Sequence, residues 1–195
     1  VGHNAGTAVT TGINNTLIGS LAGDALTDAD NNVAVGEETL STDTLGSKSV
    51  AIGGNALANQ NFTTATDTYN TAVGFDAGVA VTTGIRNTIL GGQAGDALTD
   101  ADDNVAVGAL ALSGDTYGSH STAIGRGALK VQNFTTATDA YNTAVGHSAG
   151  EALQTGDKSV FIGALAGDSK ETGDGNIIIG YGADGYDSND STEIV

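Results

Sequence analysis

The sequence predicts an all-β solenoid, a single array of short parallel coils stacked along one axis. Three observations predict it. Pairs of an apolar residue and a glycine recur at a fixed step through the whole chain. The residues before each pair alternate with period two. The composition suits thin layers of small side chains, not a thick globular core.

The period comes first. The pairs fall at Val1-Gly2, Ile18-Gly19, Val35-Gly36, Ile52-Gly53, Val73-Gly74, Leu90-Gly91, Val107-Gly108, Ile124-Gly125, Val145-Gly146, Ile162-Gly163 and Ile179-Gly180. The steps are 17, 17, 17 and 21, the same again, then 17 and 17, which makes eleven rungs grouped in a 72-residue super-repeat. Residues 1–72 and 73–144 agree at 51 of 72 positions, and 145–195 begin a third copy. A period this short is the signature of a solenoid. Residues 1–195 are therefore one repeat array and not two domains.

The alternation comes next. Asn70-Thr71-Ala72-Val73-Gly74 is typical of a rung: a polar residue, then Thr or Val, then a mostly small apolar residue, then the Val/Ile/Leu mark and its glycine. This reads as a short strand in which the Thr/Val and Val/Ile columns share one face and Ala takes the other. The Thr/Val column is expected to face inward. The small Ala column is expected to form a second surface, packed closely on neighbouring chains. Asn or Ser opens every strand, and stacked Asn side chains can hydrogen-bond along the array. Three residues after the glycine comes Ala in ten of eleven rungs, Thr39 being the exception. A further glycine at Gly12, Gly46, Gly84, Gly118, Gly156 and Gly173 closes the coil. About 17 residues suffice for two short strands and two turns.

Composition agrees. There are 30 Gly, 5 Tyr, 4 Phe, and no Pro, Cys, Met or Trp. High Gly with Ser, Thr, Asn and Asp would suggest disorder, but the fixed apolar period overrules that. A coil so small encloses little apolar volume, so a single chain is expected to be marginal and three parallel chains to be needed. Eleven rungs at the ~4.8 Å strand spacing give a rod roughly 50 Å long, nearly free of helix.

The 21-residue steps add four residues around Asn61–Asp67 and Asn133–Asp139. These are expected to be loops bulging from one edge. Phe62, Tyr69, Phe134 and Tyr141 there are the candidate surface-contact residues, since aromatic faces suit sugars or a partner protein.

Net charge is −17, from 23 acidic and 6 basic residues. No basic patch exists to neutralise phosphates, so nucleic acid is not an expected partner. No run approaches the ~18 apolar residues of a membrane-spanning helix, so membrane insertion is not expected of this segment. The acidic turns Asp28-Ala29-Asp30 and Asp100-Ala101-Asp102-Asp103 are the only candidate metal ligands. Calcium needs six to eight oxygens, so Asp28, Asp30, Asp100, Asp102 and Asp103 would bind it only with help from a neighbouring coil or chain. Otherwise they form solvated turns, and no cofactor is expected.

The columns resemble the head repeats of trimeric autotransporter adhesins of the YadA type: Ser49-Val50-Ala51-Ile52-Gly53 nearly reproduces their Asn-Ser-Val-Ala-Ile-Gly motif. The longer stretch from Asn70 to Gly78 looks even more like repeats of phage tail fibres, as does the close from Gly175 to Val195. The resemblance covers the whole chain, though the spacing of 17 and 21 departs from the shorter adhesin coil. It implies a left-handed parallel β-roll and an intertwined or side-by-side homotrimer. It implies attachment to a host cell-surface glycan or protein receptor. The setting would be a virion tail fibre, with a bacterial surface adhesin head as the alternative, extracellular in either case.

Rival functions fare worse. His3, His120 and His147 share no column with a nucleophile. His3 and His147 read as solvent-facing, and no rung departs from the repeat enough to build a catalytic cleft. An enzyme is not expected. An ice-binding face would need a regular Thr ladder, whereas the first strand column mixes Thr16, Val33, Val50, Thr71 and Val105. Finally, the chain opens in mid-motif at Val1-Gly2. At the far end, Glu193, Ile194 and Val195 would fill the first positions of a further strand. The array is therefore expected to be an excerpt of a longer fibre.

Overall fold

A computed structural model describes residues 1–185. The strand expected over 193–195 lies outside the described residues. Within them the chain is all-β, with no helix.

Ten strands of three residues carry the marks: β1 (Thr16–Ile18), β2 (Val33–Val35), β4 (Val50–Ile52), β6 (Thr71–Val73), β7 (Thr88–Leu90), β8 (Val105–Val107), β10 (Thr122–Ile124), β12 (Thr143–Val145), β13 (Val160–Ile162) and β14 (Ile177–Ile179). They form one parallel sheet in chain order. The register is that of the repeat, each mark beside the next: Ile18 pairs with Val35, Ile52 with Val73, Ile162 with Ile179. Val1 lies outside any strand, yet its carbonyl accepts the Gly19 N–H at 3.1 Å, so the stack extends one rung earlier. The expected second strand of each coil is formed at only two places. There β3 (Gly46–Ser47) pairs with β5 (Thr66–Asp67), and β9 (Gly118–Ser119) with β11 (Thr138–Asp139). Elsewhere that side is turns and bends, tied to the next coil by single backbone bonds such as Thr27 N–H to the Thr44 carbonyl at 3.0 Å.

The orientation of the strands is the reverse of expectation. The Ala column points into its own coil: Ala34, Ala51, Ala72, Ala106, Ala123 and Ala144 are fully buried. The Thr/Val column and the marks face outward. The reason is space. A coil of 17 residues is too narrow for Val or Ile from both walls, so the middle residue of each strand takes the interior. Substituting Ala72 or Ala144 would therefore disturb the coil itself and not a contact between chains. The mixture of Thr and Val in the outward column still breaks any regular hydroxyl ladder.

The interior is one residue wide and filled by size matching. Where the strand contributes Ala34, Ala51, Ala106 or Ala123, the opposite wall contributes Leu40, Leu57, Leu112 or Leu129, all fully buried. Where it contributes Ile89 or Phe161, the opposite wall has glycine. A Cβ added to Gly78 would lie 2.8 Å from Ile89 Cδ1, and one added to Gly150 2.8 Å from Phe161 Cδ2. On the rungs of Ala72 and Ala144, which face Gly78 and Gly150, the space is filled from the neighbouring rungs, by Leu57 and Ile89 and by Leu129 and Phe161.

The glycine after each mark is explained by stacking. Gly36 has φ +141°, and a Cβ there would stand 2.6 Å from the carbonyl oxygen of Gly53 in the next rung. Corners elsewhere are turned by non-glycine residues in the left-handed region, among them Lys48 (φ 65°), Tyr69 (φ 53°), Arg86 (φ 57°) and His120 (φ 63°). Each such residue costs roughly 1–2 kcal/mol in isolation. Cross-rung bonds from the corner amides offset this, as in Arg86 N–H to the Thr68 carbonyl at 2.7 Å.

The Asn column bonds along the stack, through backbone and not side chain to side chain. Asn32 Oδ1 accepts the N–H of Ser49 at 2.8 Å, and its Nδ2 donates to the Gly46 carbonyl at 2.9 Å. Asn87 and Asn104 repeat the pattern. Each amide thus satisfies two buried backbone groups that the turns leave over.

Candidate functional site

Three surfaces stand out once the coil is closed. The first is the outer face of the ten-stranded sheet. Its two columns alternate with the buried one, so every strand presents two side chains outward. Ile18, Ile52, Leu90, Ile124, Ile162 and Ile179 are all exposed there, Ile179 by 56%. Val33, Val50, Val105 and Val160 are half-buried beside them. The result is a strip along the length of the stack whose mark column is apolar throughout and whose other column mixes Val and Ile with Thr16, Thr71, Thr88, Thr122 and Thr143.

The second surface is the corner ridge bordering that strip. Lys48, Tyr69, Arg86, Asp103, His120, Tyr141 and Lys158 occupy one column on seven successive rungs. They interact in sequence. Lys48 Nζ donates to Asp67 at 2.5 Å and to the Tyr69 hydroxyl at 3.1 Å, and lies 5.1 Å from the Tyr69 ring centre. Arg86 grips Asp103 with two bonds of 2.6 and 2.7 Å. His120 sits between carboxylates, 3.6 Å from Asp103 and 3.3 Å from Asp139, with its ring 4.9 Å from that of Tyr141. Lys158 Nζ pairs with Asp157 at 2.7 Å. The hydrogen bonds from Arg86 hold the Asp103 carboxyl below its ordinary range. Those that Lys48 donates to Asp67 and Tyr69 raise its ammonium, and the one Lys158 donates to Asp157 raises its own.

The third is the pair of long rungs. Phe62 and Phe134 are buried, not displayed. Phe134 tucks its ring over a glycine of the preceding coil: a Cβ on Gly118 would lie 2.8 Å from Phe134 Cδ2. Burial removes both from the contact residues expected of the sequence. The tips at Thr63, Thr64 and Ala65 and at Thr135, Thr136 and Ala137 are exposed, as are Asp67, Asn133 and Asp139. Tyr69 and Tyr141 do reach the surface, half exposed, at the corner that follows.

Beneath these rungs lies a polar network that the sequence reading missed. Asp43 is fully buried. Its Oδ1 accepts the N–H groups of Gly46 and Phe62, each at 3.0 Å, and its Oδ2 accepts Gln60 Nε2 at 2.6 Å. Gln60 Oε1 in turn accepts Asn70 Nδ2 at 2.9 Å. Asp115, Gln132 and Asn142 copy the arrangement one super-repeat later. The signal was present in the spacing. Asp43 and Asp115 stand 17 residues after Leu26 and Leu98, and Gln60 and Gln132 follow 17 residues later, in an interior column that holds Val9, Leu26, Val81, Leu98 and Leu153 on other rungs.

The calcium candidates do not converge. Asp28 accepts from the Thr11 hydroxyl, and Asp30 from the Ile13 N–H at 2.7 Å. Asp100 accepts from Thr83, Asp102 from the Ile85 N–H at 2.8 Å, and Asp103 from Arg86. Each carboxylate faces the rung before it along the stack. Among the described residues no group of three or more His, Cys, Asp and Glu is placed to hold a metal ion. His3 and His147 are exposed, at separate points of the other rim. Of the remaining acids, Asp96 is pushed up by burial, and its Oδ1 lacks a hydrogen-bond partner. No protein-family model, curated protein or solved structure matches the chain.

Proposed function

We propose that this chain is a structural and adhesive segment of a trimeric fibre, a phage tail fibre that mediates attachment to a host cell surface. The observation that carries the reading is the bare apolar strip along the sheet. Folded monomers rarely leave so long an apolar patch exposed. The strip is continuous over ten strands, so it fits a second rod of the same period better than a compact partner. Three parallel copies, each turning its strip to a common axis, bury it with closed symmetry and leave no further copy to add. The charged and looped sides then face outward, where net charge of −17 keeps the fibre from bundling. A narrow interior explains why assembly matters: the strip supplies a second core, shared between chains. A receptor, glycan or protein, meets the outward sides.

The test is sedimentation with cell binding. The wild-type segment should sediment as a trimer and adhere to susceptible cells. Ile52→Lys with Ile124→Lys should dissociate it and lower adhesion through lost avidity. A wild-type chain that remains a folded monomer at micromolar concentration would sink the assembly reading, and a trimer that adheres to no host surface would sink the attachment reading.

A further inference from the structure

We propose that the corner ridge binds uncharged polysaccharide, with Tyr69 and Tyr141 as two equivalent stacking platforms. This deepens the attachment reading and rests on it.

The rings are presented and held. Both tyrosines are half exposed. Lys48 fixes Tyr69 by its hydroxyl and its face, and His120 stacks on Tyr141 at a 31° tilt. A ring already fixed loses little side-chain freedom on binding, which is the usual advantage of Tyr at recognition surfaces.

The charges around the rings select the partner. Lys48 is paired with Asp67, Arg86 with Asp103, and Lys158 with Asp157. The ridge therefore offers hydrogen-bond donors and acceptors side by side without a net positive field, on a chain of net charge −17. A polyanion is repelled. A peptide strand finds little free edge here, because the corner amides of Lys48, Arg86, Asp103, His120 and Lys158 are bonded to the preceding rung. A hydroxyl-rich, uncharged chain meets both needs: ring faces for its apolar C–H surfaces, and paired acids and bases for its hydroxyls.

The spacing favours a polymer. Tyr69 and Tyr141 are 72 residues apart, which is four rungs. At the parallel-strand spacing that is about 19 Å along one straight ridge. A linear polysaccharide lying along it engages both platforms, and the second contact gains the effective concentration of a tethered site.

The repeat itself supplies the variant. Asn14 and Asn31 occupy the same column with φ 60° and 59°, so the coil accepts Asn there. Affinity electrophoresis would compare wild type with Tyr69→Asn/Tyr141→Asn and Tyr69→Phe/Tyr141→Phe. The probes are dextran, mannan and galactomannan, with heparin as the polyanion. Sedimentation would verify that assembly is unchanged in each. Retardation by at least one uncharged polymer is expected, lost by tenfold or more in the Asn variant and largely kept in the Phe variant. Absence of retardation by all three uncharged polymers, preference for heparin, or equal retardation of the Asn variant would each overturn the proposal. If the Asn variant still adheres to cells as wild type does, the ridge is excluded while the attachment reading stands. If wild type adheres to no cells, the attachment reading fails regardless of the polymers.

Discussion

Ala72 and Val73 are adjacent residues of one strand, yet they answer to different constraints. Ala72 is buried inside its own coil, across from Gly78, whose surroundings Leu57 and Ile89 of the neighbouring rungs fill. Val73 faces away from the coil, half-buried between Ile52 and Leu90 of the adjoining strands. The inner column trades volume within a rung or with the next one, Ala set against Leu and Ile against Gly. The outer column varies freely among Val, Ile and Leu. What the difference teaches is where each energy resides. Inside, stability depends on fit within a chain; outside, the same apolar residues contribute little until another surface covers them.

The sharpest way to break this contrast is to swap one inner pair for another. Leu112→Gly should destabilise the chain by about 2–5 kcal/mol through the cavity it leaves, somewhat less to the extent that glycine relieves the left-handed corner, where Leu112 has φ 53°. Ala106→Ile alone should cost about 1–3 kcal/mol by overpacking. Together they recreate the pairing of Ile89 with Gly95, and urea denaturation should show the double variant more stable than the sum of the two. Strict additivity would mean that size matching is not what fills the coil.

A smaller effect is expected from the polar part of the interior. Asp43→Ala leaves the Gly46 and Phe62 amides without their acceptor and Gln60 Nε2 with only the Ser49 hydroxyl. A loss of about 1–3 kcal/mol should follow, with hydrogen exchange at Gly46 and Phe62 rising before that of the sheet. The equivalent Asp115→Ala should behave alike. If either change proves neutral, the network is not needed to seat the long rungs.

The smallest effect belongs to the outer rim. Arg86 lowers the native pKa of Asp103, so the pair contributes stability that is present above the unfolded-state value and fades as pH falls through the lower native one. Arg86→Met should therefore cost ~0.5 kcal/mol near pH 7, discounted for exposure. The difference from wild type should vanish in strong acid. A gap that persists at pH 2 would assign the loss to packing of the arginine stem instead.

The fold was legible because the period is: eleven marks in register leave no other architecture. Which face turns inward was not, because both faces of Asn-Thr-Ala-Val-Gly are apolar and hydropathy offers no contrast between them. The deciding quantity is volume, which appears only when the rungs are aligned and Ala34 is set against Leu40. Phe134 was misplaced for a related reason. An aromatic residue in an inserted loop suggests display, but Gly118 opposite it leaves room for a ring. The ridge was half visible, since Tyr69 and Tyr141 were singled out while Lys48, Arg86 and His120 were not. Those three stand on other rungs, and nothing along the chain announces that residues 17 or 21 apart are neighbours except the period itself.

Because each three-residue strand touches only the strand before and the strand after, and does so through bonds that run parallel to the long axis, the rod has an unusual response to tension. A pull along that axis loads one interface at a time rather than shearing many together. The chain would yield coil by coil, each released coil of 17 residues adding on the order of 50 Å of slack. A fibre built this way can lengthen at its weakest turn while the remaining coils stay wound, and can rewind on the adjacent intact coil as template when the load falls. It would serve as a tether that absorbs a jolt by paying out thread.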